Sequence, residues 1–230
     1  MDWRLIIALA AFAVIALASL SGHVDEAVVV PNSSLVKLPK PETKGTLSVE
    51  EALNKRRSIR QYKNQPLTLK EISQLLWSAQ GLTAEWGGRT APSAGATYPL
   101  EAYAVVGNVD GLKPGVYHYL PKEHAITQIV SGDLRGELAD AALGQSMIKD
   151  APATIILTAN YNRTTSRYGN RGVMYVHMEA GHAGQNIYLQ AEAIGLGTVA
   201  VGAFNPDQVR DLLSVSKDEE PLYIYPVGRV

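Results

Sequence analysis

The chain has 230 residues, and its 21 Lys and Arg nearly balance 22 Asp and Glu, so no charge surplus points to a nucleic-acid groove or a polyanionic substrate. It contains no cysteine, which excludes disulfides, thiolate zinc sites, iron–sulfur clusters and a catalytic dithiol together. Redox chemistry, if present, has to come from a bound organic cofactor or from a metal on histidine and carboxylate.

Residues 5–22 carry no charge and only two serines as polar side chains, a length at the edge of what spans a bilayer core. This predicts a membrane segment or signal peptide over residues 1–22. Arg4 precedes the apolar run while Asp25 and Glu26 follow it, and no clean A-x-A cleavage signal is present. The expectation is therefore an uncleaved N-terminal membrane anchor with the domain on the non-cytoplasmic side, a secreted protein being the alternative. Pro31, Pro39 and Pro41 among short polar runs give residues 23–45 the character of an extended linker, which leaves residues 46–230 as one folded domain.

Ser48 followed by Glu51, and Thr68 followed by Glu71, each have the S/T-x-x-E form that satisfies free amides at a helix start. The second helix places Leu69, Ile72, Leu75, Leu76 and Ala79 on one face and stops at Gly81. Strands are expected over 102–106, 116–120, 126–130, 154–159, 198–201 and 222–227, short runs rich in Val, Ile and Tyr bounded by Gly, Pro or Asn. Helices are expected over 133–143, 173–194 and 206–213, the last with Asn205 as cap and Pro206 in its first turn. The elements do not alternate as regular βαβ units. They predict an α+β fold with helices flanking a mainly antiparallel sheet.

No phosphate-binding G-x-x-x-x-G-K-S/T or G-x-G-x-x-G motif occurs, and Gly195-Leu196-Gly197 follows a helix, where it serves as a turn into the next strand. His177, Glu179 and His182 resemble a zinc-binding helix only superficially. Positions i and i+5 lie about 140° apart on a helix, so no metal site is expected, and polar groups beside a ligand or a helix interface are the alternative. The cluster Arg56-Arg57-Ser58-Ile59-Arg60 offers planar forks and a hydroxyl suited to a phosphate and the polar edge of a flat ring, or else forms a solvated basic turn. Residues 91–99 form a loop of small residues between two prolines, apt for close approach of backbone to a flat ligand or for a structural turn before the strand that follows.

These runs occur together and in order: Arg56-Arg57-Ser58-Ile59-Arg60-Gln61-Tyr62, Leu75-Leu76-Trp77-Ser78-Ala79-Gln80-Gly81, residues 89–99, Gly115-Val116-Tyr117-His118-Tyr119, Arg167-Tyr168-Gly169, residues 175–186, residues 195–204 and Pro226-Val227-Gly228-Arg229. Over residues 48–230 the chain thereby resembles the SagB-type dehydrogenases of the nitroreductase superfamily. The resemblance implies a nitroreductase-like fold that is dimeric, with FMN in a groove between the two subunits. It implies that Arg56, Ser58 and Arg60 contact the phosphate, ribityl chain and pyrimidine side of the flavin, with Arg57 flanking them. Pro92, Ser93 and Ala94 resemble the loop that the neighbouring subunit lays against the ring, Gly202 and Ala203 the segment whose amides face flavin N5 and O4, and Arg229 a basic residue near the phosphate.

SagB-type enzymes oxidise azolines in peptides with a Lys-Tyr pair, and the matching positions here are Arg167 and Tyr168. Arginine does not deprotonate at ordinary pH and cannot replace lysine as a base. The resemblance therefore implies an FMN-dependent oxidoreductase transferring hydride at N5 to or from a small-molecule or peptide substrate, with Tyr168 and Arg167 as catalytic candidates. The residues themselves leave two readings of that pair open, proton exchange and substrate orientation over the flavin or the ordering of a loop before Gly169. A flavin- or ligand-binding module without turnover is the alternative function. The sequence assigns no electron donor or acceptor.

Overall fold

The computed structural model of the protein describes residues 28–29 and 35–230. Residues 5–22, expected as a membrane anchor, lie outside them. Among the described residues no helix is long and apolar enough to cross a membrane. The membrane placement is corrected accordingly: the described domain carries no spanning element, and neither an anchor nor a non-cytoplasmic side is retained.

Both sequence-predicted capping boxes form. Ser48 and Glu51 close the start of α1 (Val49–Lys55), and Thr68 and Glu71 that of α2 (Leu69–Gln80), which ends at Gly81. The central sheet is antiparallel throughout. Its order runs from β1 (Val28–Val29) and β2 (Leu35–Lys37), both on the outer edge of β7 (Ala125–Ser131), through β6 (Gly115–Leu120), β4 (Leu100–Val106), β8 (Ala153–Ala159) and β10 (Glu220–Arg229) to β9 (Leu196–Thr198). Two short parallel strands that the sequence did not announce, β3 (Leu67–Thr68) and β5 (Val109–Asp110), pair apart from it. Of the segment expected as a linker, residues 35–45 are docked: β2 pairs with β7, and Ser73 donates to the Pro39 carbonyl while sharing a 2.9 Å hydrogen bond with His124.

Alternation along the strands divides the core in two. On β4, Ala102, Ala104 and Val106 face α2 and the long helix α6 (Arg171–Ala193), whereas Tyr103 and Val105 face α3 (Arg135–Ala141), α4 (Ser146–Asp150) and α7 (Pro206–Leu213). Strand β8 is buried along its whole length because helices cover both faces. α6 approaches the sheet closely through small residues: Ala180, Ala183 and Ala191 are buried, and a Cβ on Gly184 would collide with the Tyr225 hydroxyl. Two helices were missed, the short α4 and α5 (Asn162–Tyr168), the second with a polar and β-branched sequence that shows no amphipathic period. Arg167 and Tyr168 thus sit on a helical turn ended by Gly169 (φ 57°), not in a loop.

Candidate active site

The functional candidates gather in two groups, one toward each end of α6. The first forms where α1 ends. A parallel bridge to Thr198 fixes Ser58, and the Ile59 amide donates to the Thr198 carbonyl, so the arginine run lies along the β9 edge. Ser58 Oγ shares a 3.0 Å hydrogen bond with the Tyr188 hydroxyl, which also accepts from the Ala200 amide at 2.7 Å. The Arg56 guanidinium stands 5.0 Å from the centre of the Tyr188 ring. Tyr188, which sequence reasoning did not single out, is thus the post on which the first group is built.

The arginines differ in how free they are. Among the described residues neither Arg56 nor Arg60 makes an ion pair, which leaves both charges available to an anion. Arg60 lines a polar cleft of about 890 Å³ of mixed charge, with Arg135 and Lys149 beside Asp133, Glu137 and Asp150. Arg57 instead folds back onto the carbonyls of Asn54 and Arg56. Arg229 is committed elsewhere: its guanidinium pairs with Glu71 and donates to the Pro66 carbonyl, so the structure does not bring it to Arg56 and Ser58. Gly202 and Ala203 are exposed beyond Val201, which bridges to Ile224. The Ala203 carbonyl accepts from Gln145, while the amides of Gly202 and Ala203 have no partner among the described residues.

The second group surrounds the Pro92 loop. Gly95, Ala96 and Tyr98 all have left-handed φ values (58°, 53° and 45°), strained for the two that are not glycine. The contacts that impose this are specific. The Tyr98 amide donates to Ser93 Oγ at 2.9 Å, Arg167 donates to the Gly95 carbonyl at 3.0 Å, and Arg89 lies 4.6 Å from the centre of the Tyr98 ring. Arg167 and Tyr168 do converge: the guanidinium sits 5.4 Å from the Tyr168 ring, and both side chains abut Gly95. The Tyr168 hydroxyl has no hydrogen-bond partner among the described residues, while its ring packs edge-on against Tyr175.

Behind this loop lies a polar cluster that sequence reasoning overlooked. Arg89 donates to Gln80 at 2.7 Å, yet Arg89 Nε, Gln80 Nε2 and Glu179 Oε1 are buried with no partner. Glu179 is 2% exposed. Burial raises its carboxyl to about 7, against the opposing pull of a hydrogen bond from Ser93 and the charge on Arg89. Burial disfavours the charged form of Arg89 too, but a guanidinium remains protonated at any ordinary pH. The available signal was a carboxylate one turn from Val176 and Ala183 and beside Ala180 on the buried face of α6. His177, read beside it, shares a 2.7 Å hydrogen bond with Tyr161 instead.

Residues 53–229 match the Nitroreductase family. The chain belongs to that family. It is 50% identical over 194 residues to a Methanocaldococcus jannaschii protein named as a nitroreductase, covering 84% of this chain and 96% of that one. It is 33% identical over 119 residues to the trifolitoxin-processing protein TfxB of Rhizobium leguminosarum, covering 50% of this chain but only 32% of that one. With the FMN reductase (NAD(P)H) of Bacillus subtilis the identity is 25% over 194 residues, 78% of this chain and 63% of that one. Solved structures named as nitroreductases superpose well. One from Ralstonia eutropha has a TM-score of 0.75 at 31% identity over 88% of this chain and 92% of that one, and one from Anabaena variabilis 0.76 at 33% over 86% of this chain and 42% of that one. This nitroreductase-family chain is therefore an oxidoreductase of the same α+β fold.

Proposed function

We propose that the protein is an FMN-dependent oxidoreductase working as a homodimer, each flavin held by the arginine run of one subunit and the Pro92 loop of the other. The separation of the two groups carries this reading. Glu179 and Tyr188 are nine residues apart on α6, about 13 Å along its axis at ~1.5 Å per residue. Among the described residues no hydrogen bond or ion pair joins the Arg56–Ser58 group to the Pro92–Ala94 group. A second copy meets this need. Val173, Met174 and Met178 on the outer face of α6, with Val49 and Leu53 on α1, supply an exposed apolar surface for it.

The residues fit a flavin. Arg56 and Arg60 are uncompensated cations for the phosphate and for the electron-rich edge of a reduced ring, Ser58 is a hydroxyl beside them, and the free amides of Gly202 and Ala203 suit ring N5 and O4. Bound there, the flavin supplies hydride transfer at N5. Pro92 and Ala94 exclude water from the ring face, and Tyr168, whose hydroxyl is unengaged, exchanges the substrate proton beside the fixed positive charge of Arg167. A substrate carbonyl or carboxylate is oriented by that charge.

Kinship to SagB-type dehydrogenases is the finer part of the proposal. It rests on the ordered motifs and on relatives whose names state processing of trifolitoxin and microcin B17. A peptide or small-molecule substrate follows, with Arg167 in place of a basic lysine arguing against azoline oxidation by that route. The test is to purify the full chain and record its visible spectrum. Yellow protein with non-covalent FMN is expected; colourless protein that FMN cannot reconstitute contradicts the proposal. With a substrate in hand, Tyr168→Phe should lose turnover at full flavin occupancy.

A further inference from the structure

Arg163 stands in the first turn of α5, one turn before Arg167 and five residues before Tyr168. Both arginines reach across to the Pro92 loop. Arg163 Nη1 donates to the Tyr98 carbonyl at 3.1 Å, and Arg167 Nη1 to the Gly95 carbonyl at 3.0 Å. Between them the hydroxyls of Thr164 and Thr97 share a 2.8 Å hydrogen bond. α5 thus grips the loop at two residues of left-handed backbone, Gly95 (φ 58°) and Tyr98 (φ 45°). That conformation costs glycine little, whereas a tyrosine keeps it only while its surroundings hold it there.

Among the described residues only the Arg163 grip is backed by a carboxylate. Glu101 Oε1 accepts from Arg163 Nη2 at 2.6 Å, and its Oε2 lies 3.0 Å from His118 Nε2. Glu101 belongs to β4 and His118 to β6, and the His118 ring stacks on Tyr103 at 4.7 Å. Tyr103 in turn donates to Glu219 at 2.6 Å. Burial by itself would raise the Glu101 carboxyl, but the hydrogen bond from His118 and the charge and hydrogen bond of Arg163 outweigh it and hold it below the usual carboxylate range. Glu101 is therefore an anion at neutral pH that only accepts, and His118 donates to it through Nε2.

We propose that Glu101 and Arg163 are positioning residues: Glu101, braced by His118, fixes Arg163, and Arg163 holds Tyr98 in its strained conformation, so that the Pro92 loop and the Arg167–Tyr168 pair keep one geometry toward the flavin. The flavin reading, on which this rests, supplies what the loop faces. Neither Glu101 nor Arg163 touches flavin or substrate. They act through the Tyr98 carbonyl and through α5, which carries Arg163, Arg167 and Tyr168 on one short helix. Loss of the clasp lets Tyr98 relax toward ordinary backbone, and the loop that begins at Pro92 shifts with it.

Hydrogen exchange in the flavin-free protein tests the clasp. The Arg163 side chain is 41% exposed, so Arg163→Met removes the grip without opening the core. The amides of Ala96 and Thr97, bonded to the Ser93 and Ala94 carbonyls, should exchange about tenfold faster or more in Arg163→Met, the loss of a charge-assisted hydrogen bond, while the β4 amides keep their native rates. Glu101→Gln, which keeps the shape but not the charge, should act in the same direction by a smaller factor, and Arg163→Lys should recover part of the protection. Glycine at position 98 relieves the strain that Arg163 opposes. Arg163→Met should therefore accelerate exchange less in a Tyr98→Gly background than in the native one. FMN titration of the same variants reads the consequence at the site: the dissociation constant should rise about three- to tenfold in Arg163→Met and return toward the native value in Arg163→Lys. Native exchange rates in both Arg163→Met and Glu101→Gln, an Arg163→Met effect undiminished by Tyr98→Gly, or an FMN dissociation constant unmoved by a loosened loop overturns the proposal. A native protein that binds no FMN would sink the flavin reading instead, and the exchange series, which needs no flavin, would still decide whether Glu101 and Arg163 hold Tyr98.

Discussion

Arg229, at the end of β10, meets Glu71 through both terminal nitrogens, Nη1 to Oε1 at 3.0 Å and Nη2 to Oε2 at 3.1 Å, and so fastens the last strand to the cap of α2. Glu71 Oε2 also accepts from the Thr68 amide at 2.7 Å, so one carboxylate serves the helix start and the strand end. Arg229→Ala should cost stability, about 1–2 kcal/mol for a partly exposed bidentate pair, and leave FMN occupancy intact at saturating flavin. Urea denaturation beside a flavin assay separates these effects. Loss of flavin at unchanged stability would return Arg229 to the phosphate site.

The arginine run should respond unevenly to truncation. Arg56 has no carboxylate partner, whereas Arg57 is spent on the carbonyls of Asn54 and Arg56. Arg56→Ala is expected to weaken FMN binding by about 10- to 100-fold, the loss of a charge-assisted hydrogen bond worth ~1.5–3 kcal/mol. Arg57→Ala should change it by less than about threefold, the level of an ordinary surface substitution. Equal effects in fluorescence titration would show that the run acts by charge alone.

Gly184 is a packing requirement. A Cβ there would strike the hydroxyl of Tyr225, a fully buried side chain that cannot swing away. Gly184→Ala should therefore destabilise by about 1–3 kcal/mol despite the better helix propensity of alanine. A raised Tm in this variant would mean that α6 stands clear of Tyr225 at this position.

Stability should also carry the signature of Glu179. Its carboxyl titrates near 7 in the folded protein against 4.5 ordinarily, so the folded state holds an extra proton between those values. That contribution is fully present below pH 4.5 and is lost as pH rises through about 7. The magnitude follows from ~1.4 kcal/mol per pH unit and reaches about 3 kcal/mol. Between pH 5 and 8 the native protein should lose more stability than Glu179→Gln, measured by urea unfolding. Parallel losses would place the carboxyl in water.

What the sequence disclosed was local. Capping boxes at Ser48 and Thr68 announce helices because the hydrogen bonds span three residues, and the short Val- and Tyr-containing run 102–106 before Gly107 announces a strand because its composition is local too. Contacts between distant segments leave no such trace. Nothing near Tyr188 signals Ser58, 130 positions earlier, and nothing near Glu179 signals Ser93. Arg229 shows the reverse problem. The resemblance implies a phosphate ligand there, while the partner that the structure shows, Glu71, lies 158 positions away and left no trace beside the motif. Helix α5 escaped because its buried side consists of Thr164 alone.

The shared flavin site is tested most directly by complementation between two damaged subunits. Arg56→Ala disables the arginine group and Ser93→Trp blocks the Pro92 loop, so a homodimer of either variant has two impaired sites. Co-expressed with different affinity tags and purified as the mixed dimer, the pair should regain one native site assembled from the intact half of each chain. We expect one FMN per mixed dimer and little in either parent. A mixed dimer as empty as its parents, or a native protein that is a flavin-loaded monomer by light scattering, would contradict a site built across two subunits.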